Sequence, residues 1–129
     1  MNDNDILIIR DLIESYRKQC DWYDQLRVMD QKILSRLILS RGDMHEMMYS
    51  FEKKKTLIDN LEIERTRTAD AVQYWQKIKS AFPVCDDTDE LNAILEKTTN
   101  TIKGFLDEEE KIKKYIEGIV KKESSQISQ

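Results

Sequence analysis

Apolar residues recur at every third or fourth position through most of the chain, which is the spacing of one face of an α-helix. The first such stripe runs through Ile6, Ile9, Ile13, Tyr16, Cys20, Tyr23, Leu26, then Met29 or Ile33, and Leu37. The second runs through Met44, Met47, Phe51, Ile58, Leu61, Val72, Trp75, Ile78 and Phe82. The third runs through Leu91, Leu95, Thr98, Ile102, Phe105, Glu109, Ile112, Ile116 and Ile119. The pattern therefore predicts three long amphipathic helices and no strands.

Local signals separate the three stripes. Gly42 suits the left-handed conformation that ends a helix, and Asp43 with Glu46 forms a capping-box pattern for the next one. Pro83 stops the second helix because a proline disfavours helical geometry in the residue before it. A second capping-box pattern, Asp87 with Glu90, opens the third. The predicted helices span residues 5–40, 43–81 and 88–122, followed by a disordered tail at 124–129.

The helices are similar in length and the turns between them are short, so consecutive helices should be antiparallel neighbours. No stripe can be buried by its own helix, and the three must share one core. The predicted fold is an all-α, elongated antiparallel three-helix bundle that forms a single domain over residues 1–123. A helix hairpin whose third helix is detached, or exchanged in a dimer, remains an alternative.

The second stripe weakens between Leu61 and Val72. Antiparallel registration places Arg65 and Thr68 in this gap level with the run from Thr98 to Thr101, and the first helix offers Tyr16 and Cys20 there. The pattern predicts a polar layer halfway along the bundle. Whether these groups lie inside the bundle or face water stays open from the sequence.

Composition narrows the possible partners. Of the 129 residues 36% are charged and the net charge is −4, so a net basic face for nucleic acid is not expected. The basic run Lys53–Lys55 is flanked by acids and is interpreted as a solvated helix face. No apolar run approaches the roughly 20 residues of a membrane span. We expect a cytoplasmic protein without membrane insertion.

The sequence contains no pattern typical of catalysis or of a cofactor site. His45 is the single histidine, without a neighbouring cysteine for a metal site. The predicted bundle places Cys20 and Cys85 about 25 Å apart along the helices, too far for a disulfide. We predict two free thiols, no metal, no cofactor and no enzymatic activity.

Two regions have residues suited to binding. The start of the second helix has more large apolar side chains than one inward-facing stripe can hold, so Met48 or Tyr49 should be exposed. These side chains are Met44, Met47, Met48, Tyr49 and Phe51. The third helix combines weak helix formers from Thr98 to Gly104 with a strongly apolar face. That face could leave the bundle and bind a partner helix, or it could belong to an ordinary third helix.

The residues Phe51-Glu52-Lys53, followed by Leu57-Ile58, Leu61, Glu64 and Arg65, resemble the signature of the FlgN-type flagellar export chaperones. Upstream, Asp30 with Leu34 and Asp43 with Met47 are similar to the acid-x-x-x-Leu steps of that family. The resemblance covers about residues 6–70, and the third helix fits by general plan.

The resemblance implies a small cytoplasmic chaperone that binds hook–filament junction proteins, prevents their premature assembly and delivers them to the flagellar export gate. It also implies a partner-binding surface towards the C-terminus and a monomer or weak dimer. On this chain the predicted partner-binding residues are Ile102, Phe105, Leu106, Ile112, Tyr115, Ile116 and Ile119. The alternative hypothesis is a structural or adaptor bundle that acts by self-association.

Overall fold

The computed structural model describes residues 3–127, which form three long α-helices. Helix α1 spans Asp3–Leu39, α2 spans Met48–Ile78 and α3 spans Asp86–Ile127. A single 3₁₀ turn, His45–Met47, precedes α2. The prediction of an all-α three-helix bundle is confirmed.

The helix ends differ from the prediction by a few residues. Asp43 accepts a hydrogen bond from the His45 backbone N–H at 3.0 Å and so stabilises the turn before α2, and α2 itself begins only at Met48. At its other end α2 stops at Ile78, three residues before the predicted end. Helix α3 continues to Ile127 because adding residues to an existing helix is easier than starting one. Residues 124–127 of the predicted disordered tail are thus helical, and residues 128–129 lie outside the described residues.

The turn after α1 is a Schellman motif, but its left-handed residue is not the predicted one. The Gly42 N–H bonds to the Leu37 carbonyl at 2.8 Å and the Arg41 N–H to the Ile38 carbonyl at 3.3 Å. Arg41, with φ 58°, therefore holds the left-handed position, and Gly42 follows with φ 91°. A Cβ atom on Gly42 would lie 2.7 Å from Cδ1 of Ile119, so the end of α3 packs directly on this turn.

The start of α3 uses a different cap from the one predicted. The Cys85 backbone N–H donates to the Thr88 hydroxyl at 2.9 Å. Asp87 and Glu90 instead form ion pairs with Arg10 and Arg17 of α1. The expected acidic capping box was wrong because both acids have basic partners on a neighbouring helix.

Contacts along the bundle define its topology. Arg67 of α2 pairs with Asp11 of α1 at 3.2 Å, which places the C-terminal part of α2 beside the N-terminal part of α1. The Tyr115 hydroxyl of α3 donates to the Leu37 carbonyl of α1 at 3.2 Å. Helix α1 is therefore antiparallel to α2 and parallel to α3.

The core consists of three apolar clusters. Two have buried residues from all three helices, and the third has buried residues from α1, the 3₁₀ turn and α3, with Phe51 of α2 packed against it. The first holds Ile9, Leu12, Ile13, Trp75 and Leu91; the middle one Tyr23, Leu26, Leu61 and Phe105; the third Ile33, Leu37, Met47 and Ile112. Two polar layers separate them. One contains Ser15, Gln19, Glu64, Thr68 and Thr98, and the other contains Asp30, Lys54 and Glu109.

The first polar layer answers the question that the sequence left open. Thr68 and Thr98 are buried, whereas Arg65 is exposed. Their hydroxyls donate within their own helices, Thr68 to the Glu64 carbonyl at 3.0 Å and Thr98 to the Ile94 carbonyl at 2.7 Å. The layer is internal, and the Thr98 hydroxyl also lies 3.4 Å from the Tyr16 carbonyl, a long hydrogen bond that links α3 to α1.

Replacing Thr68 and Thr98 with valine should raise the free energy of unfolding by about 0.5–1 kcal/mol per site, because a buried hydroxyl bonded to an already paired carbonyl gives way to a methyl group. Thermal unfolding of Thr68→Val and Thr98→Val would measure this. Thr99→Val is the matched control, since the exposed Thr99 makes the same bond to Leu95. An equal change in all three variants would contradict the internal layer.

Candidate interaction surfaces

The predicted partner-binding residues of α3 lie in three different settings. Phe105 and Ile112 are 7% and 5% exposed and belong to the middle and third apolar clusters. Ile102 is half-buried against the middle cluster, Tyr115 and Ile116 against the third, and Ile119 lies on Gly42. Leu106 alone among the seven is exposed, at 56%. In the closed bundle these residues do not form one surface, and charged variants of Phe105 or Ile112 would first disturb folding.

Helices α2 and α3 face each other across a wide seam. Within residues 3–127, no Cα atom of α2 comes within 8 Å of a Cα atom of α3. Helices in direct contact have axes 8–10 Å apart and backbone radii near 2.3 Å, which brings facing Cα atoms to about 5 Å. Helix α1 packs more extensively against α3 than against α2. The bundle is therefore a close α1–α3 pair on which α2 lies more loosely.

The seam contains a groove at the level of the first polar layer. Its volume is about 440 Å³, and α1 forms its floor through Tyr16 and Gln19. Val72 on α2 and Leu95 and Ile102 on α3 supply apolar lining. The remaining lining residues are Arg65, Thr68, Ala69, Gln73, Thr98 and Thr99. The groove combines apolar walls with hydroxyl groups, and it includes one predicted partner-binding residue.

Helix α3 is intrinsically weak beside this groove. The hydroxyls of Thr98, Thr99 and Thr101 each donate to the carbonyl four residues earlier, at 2.7–2.9 Å. Such bonds slightly destabilise and bend a helix. Gly104 follows within the same turn and lowers helix propensity further. Of these residues Thr98 and Thr99 line the groove, so the groove lies against a stretch of α3 with low helix propensity.

A buried ion cluster closes the seam further along. The Lys54 ammonium of α2 lies 2.7 Å from Asp30 Oδ1 of α1 and 2.8 Å from Glu109 Oε1 of α3. The Asp30 side chain is fully buried, Lys54 is 9% exposed and Glu109 is 32% exposed. Lys54 therefore links all three helices through one charged group.

Burial dominates the electrostatics of this cluster. Desolvation raises the pKa of Asp30 from 3.8 to about 6, although the hydrogen bond and charge of Lys54 oppose the shift and Glu109 adds to it. The pKa of Lys54 is also raised: burial opposes the ammonium form, but the hydrogen bonds and charges of both carboxylates together outweigh it. The cluster carries two carboxylates for one ammonium, and burial raises the pKa of Asp30, the more buried of the two acids.

The interpretation of Lys53–Lys55 as a solvated face was wrong for Lys54. The signal in the sequence is a charged residue at a core-facing position of the apolar repeat, because Lys54 lies seven residues after Met47 and seven before Leu61. Asp30 likewise lies midway between the buried Tyr23 and Leu37. This is also where the first stripe is ambiguous between Met29 and Ile33.

The end of the bundle near the α1–α2 turn exposes several large apolar side chains. Leu39 is 83% exposed, Tyr49 67% and Met48 54%. The prediction that Met48 or Tyr49 faces outward is confirmed, and Met47 is the buried methionine of the group. The Lys53 ammonium lies 5.2 Å above the Tyr49 ring and orients it.

Other kinds of site are limited in the described part of the chain. It contains no group of three or more His, Cys, Asp or Glu side chains placed to hold a metal ion. Cys20 is buried with its sulfur 3.4 Å from the Thr101 hydroxyl, and Cys85 lies at the turn before α3. None of the helices over residues 3–127 is long and apolar enough to cross a bilayer.

No family model matches the chain, and neither a curated protein nor a solved structure is significantly similar to it. Support for a function therefore comes from the residues described above and from the sequence resemblance.

Proposed function

We propose that this protein is a non-enzymatic, cytoplasmic chaperone of flagellar type III export. It binds helical segments of hook–filament junction proteins, keeps them from assembling prematurely and delivers them to the export gate. The resemblance of residues 6–70 to the FlgN-type chaperones supports the class of client. The bound client helix occupies the seam between α2 and α3.

The observation that carries the proposal is the separation of α2 from α3. A helix bound between two others needs axes about 8–10 Å from each neighbour, and two helices already in contact cannot provide that space. The α2–α3 seam is open at mid-length, and its apolar lining of Val72, Leu95 and Ile102 suits the face of an amphipathic helix. The loose attachment of α2 lets the groove widen without separating the α1–α3 pair.

Calorimetric titration of the full chain with the terminal helical segments of hook–filament junction proteins from the same organism tests the proposal. Ala69 is exposed at the mouth of the groove, so Ala69→Trp should block it without disturbing the core. We expect stoichiometric binding to the wild type and a loss of about tenfold or more in affinity for Ala69→Trp, since the indole occupies space that the client needs.

The matched control is Ala93→Trp, because Ala93 is also an exposed alanine but lies on the α1–α3 side of the bundle. This variant should bind the client as the wild type does. If the wild-type protein binds no such segment at micromolar concentrations, the proposal is contradicted. Equal losses in both variants would place the client elsewhere on the bundle.

A second candidate is a structural bundle that self-associates through its α1–α2 turn. It is favoured by the exposure of Leu39, Met48 and Tyr49 at one end of the molecule. This function requires a stable oligomer that Leu39→Glu converts into a monomer in sedimentation experiments. The chaperone requires a monomer or weak dimer whose client affinity is the same in Leu39→Glu.

A further inference from the structure

A second recess runs along the other side of the bundle, between α1 and α2 and away from the α2–α3 seam. Its main part has a volume of about 510 Å³ and an apolar floor of Val28, Met29 and Leu57. Val28 also lines an adjoining depression of about 270 Å³ on α1 that reaches Arg36. Arg36 in turn lines a third depression that continues to Ser40. Neighbouring depressions share one lining residue each, Val28 or Arg36, and together the three follow α1 from Asp24 to Ser40. We refer to them as the α1–α2 recess.

The charges along this recess are predominantly basic. Lys32, Arg36 and Lys53 line it, and the described residues place none of the three in an ion pair. Its one acidic lining residue, Asp24, is already paired with Arg27 at 2.9 Å. The whole chain carries a net charge of −4, so this strip is opposite in sign to the molecule around it.

We propose that the α1–α2 recess binds an amphipathic helix whose apolar stripe is flanked by acidic residues. The length from Asp24 to Ser40 corresponds to about 24 Å, or about 16 residues of a partner helix. The apolar floor receives the stripe, and the three basic side chains, which the described residues place in no ion pair, attract the flanking carboxylates. This surface lies apart from the α2–α3 seam, so the partner is additional to the client in the proposed function.

The shape of the surface selects a helix over a flat partner. In the main part of the recess the floor of Val28, Met29 and Leu57 lies between α1 and α2, and a rod can enter such a recess while a lipid surface cannot. Val28, Lys32, Ser35 and Leu39 follow one another at steps of three or four residues, which matches the repeat of a helix lying alongside. Leu39 extends the apolar surface at the turn end, where it is 83% exposed.

The test uses a designed, fluorescein-labelled peptide of about 18 residues with leucine at helical spacing and glutamate on both flanks. Fluorescence anisotropy with the full chain measures its affinity. A peptide with lysine in place of every glutamate is the comparison. We expect the acidic peptide to bind, to weaken as salt is added, and to bind more tightly than the basic peptide.

The double variant Lys32→Glu/Lys53→Glu should weaken the acidic peptide by about tenfold and strengthen the basic one, because two attractions become repulsions. Lys103→Glu/Lys114→Glu places the same charges on exposed sites of α3 and should leave the affinity unchanged. Equal weakening by both double variants, or equal affinity for both peptides, overturns the proposal. A dimer that dissociates in Lys32→Glu/Lys53→Glu overturns it in favour of a second copy of the chain. Tighter binding to phosphatidylserine vesicles overturns it in favour of a membrane.

Different variants test client binding at the α2–α3 seam and peptide binding at the α1–α2 recess, so one proposal can fail without the other. Ala69→Trp blocks the α2–α3 seam and should leave the affinity for the acidic peptide unchanged. Lys32→Glu/Lys53→Glu should leave client binding at the seam unchanged. Loss of peptide binding in Ala69→Trp would mean that the peptide occupies the seam, which overturns the assignment to the α1–α2 recess.

Discussion

Replacing Lys54 with methionine is expected to lower the free energy of unfolding by about 3–5 kcal/mol near pH 7.5, because it leaves the carboxylate of Asp30 buried without its counter-ion. Asp30 is fully buried, so water cannot replace the lost ammonium. Glu109 is 32% exposed and can turn towards solvent. Chemical denaturation followed by circular dichroism would measure the loss.

The run of three lysines provides its own control. Lys53→Met and Lys55→Met remove the same charge from exposed neighbouring positions and should change stability by no more than about 0.5 kcal/mol. A loss for Lys54→Met as small as these would mean that the cluster contributes nothing to folding.

The loss of stability caused by Lys54→Met should also depend on whether Asp30 is present. In the double variant Asp30→Leu/Lys54→Met no charge of the ion cluster is left on α1 or α2, so stability should return to the wild-type value or exceed it by about 1–4 kcal/mol. Failure of this rescue would mean that Lys54→Met acts through lost packing of the lysine stem and not through the charge of Asp30.

The second large effect is a pH dependence that arises from Asp30. Its pKa is about 6 in the folded protein and near 3.8 in the unfolded chain. Between these values the folded state keeps a proton that the unfolded state has released, so rising pH favours unfolding. The stabilisation is fully present below pH 3.8 and is lost as the pH rises through 6. A shift of this size corresponds to about 3 kcal/mol.

The measurement is the difference in free energy of unfolding between wild type and Asp30→Asn from pH 4 to pH 8. Relative to the asparagine variant, the wild type should lose about 3 kcal/mol up to pH 6–7 and then change little. Taking the difference cancels the pH dependence of the carboxylates that do not interact with Asp30. Lys54 and Glu109 face Asp30 from α2 and α3 and are present in both proteins.

The variant Asp24→Asn serves as the control, because Asp24 is an exposed acid on the same helix. The difference between wild type and Asp30→Asn should change more between pH 4 and 7 than the difference between wild type and Asp24→Asn, because of the two acids Asp30 is the buried one. A difference for Asp30→Asn that stays constant over this range would mean that Asp30 titrates normally.

The two ion-cluster predictions bear on the proposed function. Lys54–Glu109 is the ion pair that the described residues place across the α2–α3 seam, at 2.8 Å. If α2 moves to admit a client helix, this contact lies beside the path. Conditions that weaken the cluster should therefore make the seam easier to open.

Helix content and the mid-bundle polar layer could be read from the sequence. The period of the apolar positions is a local property, since each helix must turn one face towards a core wherever its partners lie. The gap in the second stripe correctly predicted a polar layer at Thr68, and Thr98 was correctly assigned to the same layer. Arg65 was placed in the same layer but is exposed, because its long side chain reaches water from the edge of the stripe.

The candidate surfaces were less predictable. The apolar face of α3 was visible in the sequence, but the closed bundle buries Phe105 and Ile112 and leaves Leu106 outside. The α2–α3 seam depends on how far apart two helices stand, which no stripe encodes. Neither did composition reveal the basic recess, since the net charge of −4 averages over the whole surface.

By itself, the sequence determined the number of helices, the face that each turns inward and the approximate turns, because these follow from spacing and capping within a few residues. Only the tertiary structure decided that Lys54 is buried and that α1 pairs more closely with α3 than with α2. The reason is physical: a charged residue at a core-facing position can be buried only if other helices supply side chains of opposite charge next to it. Asp30 and Glu109 lie 24 and 55 residues away in the chain, and folding alone brings them to Lys54.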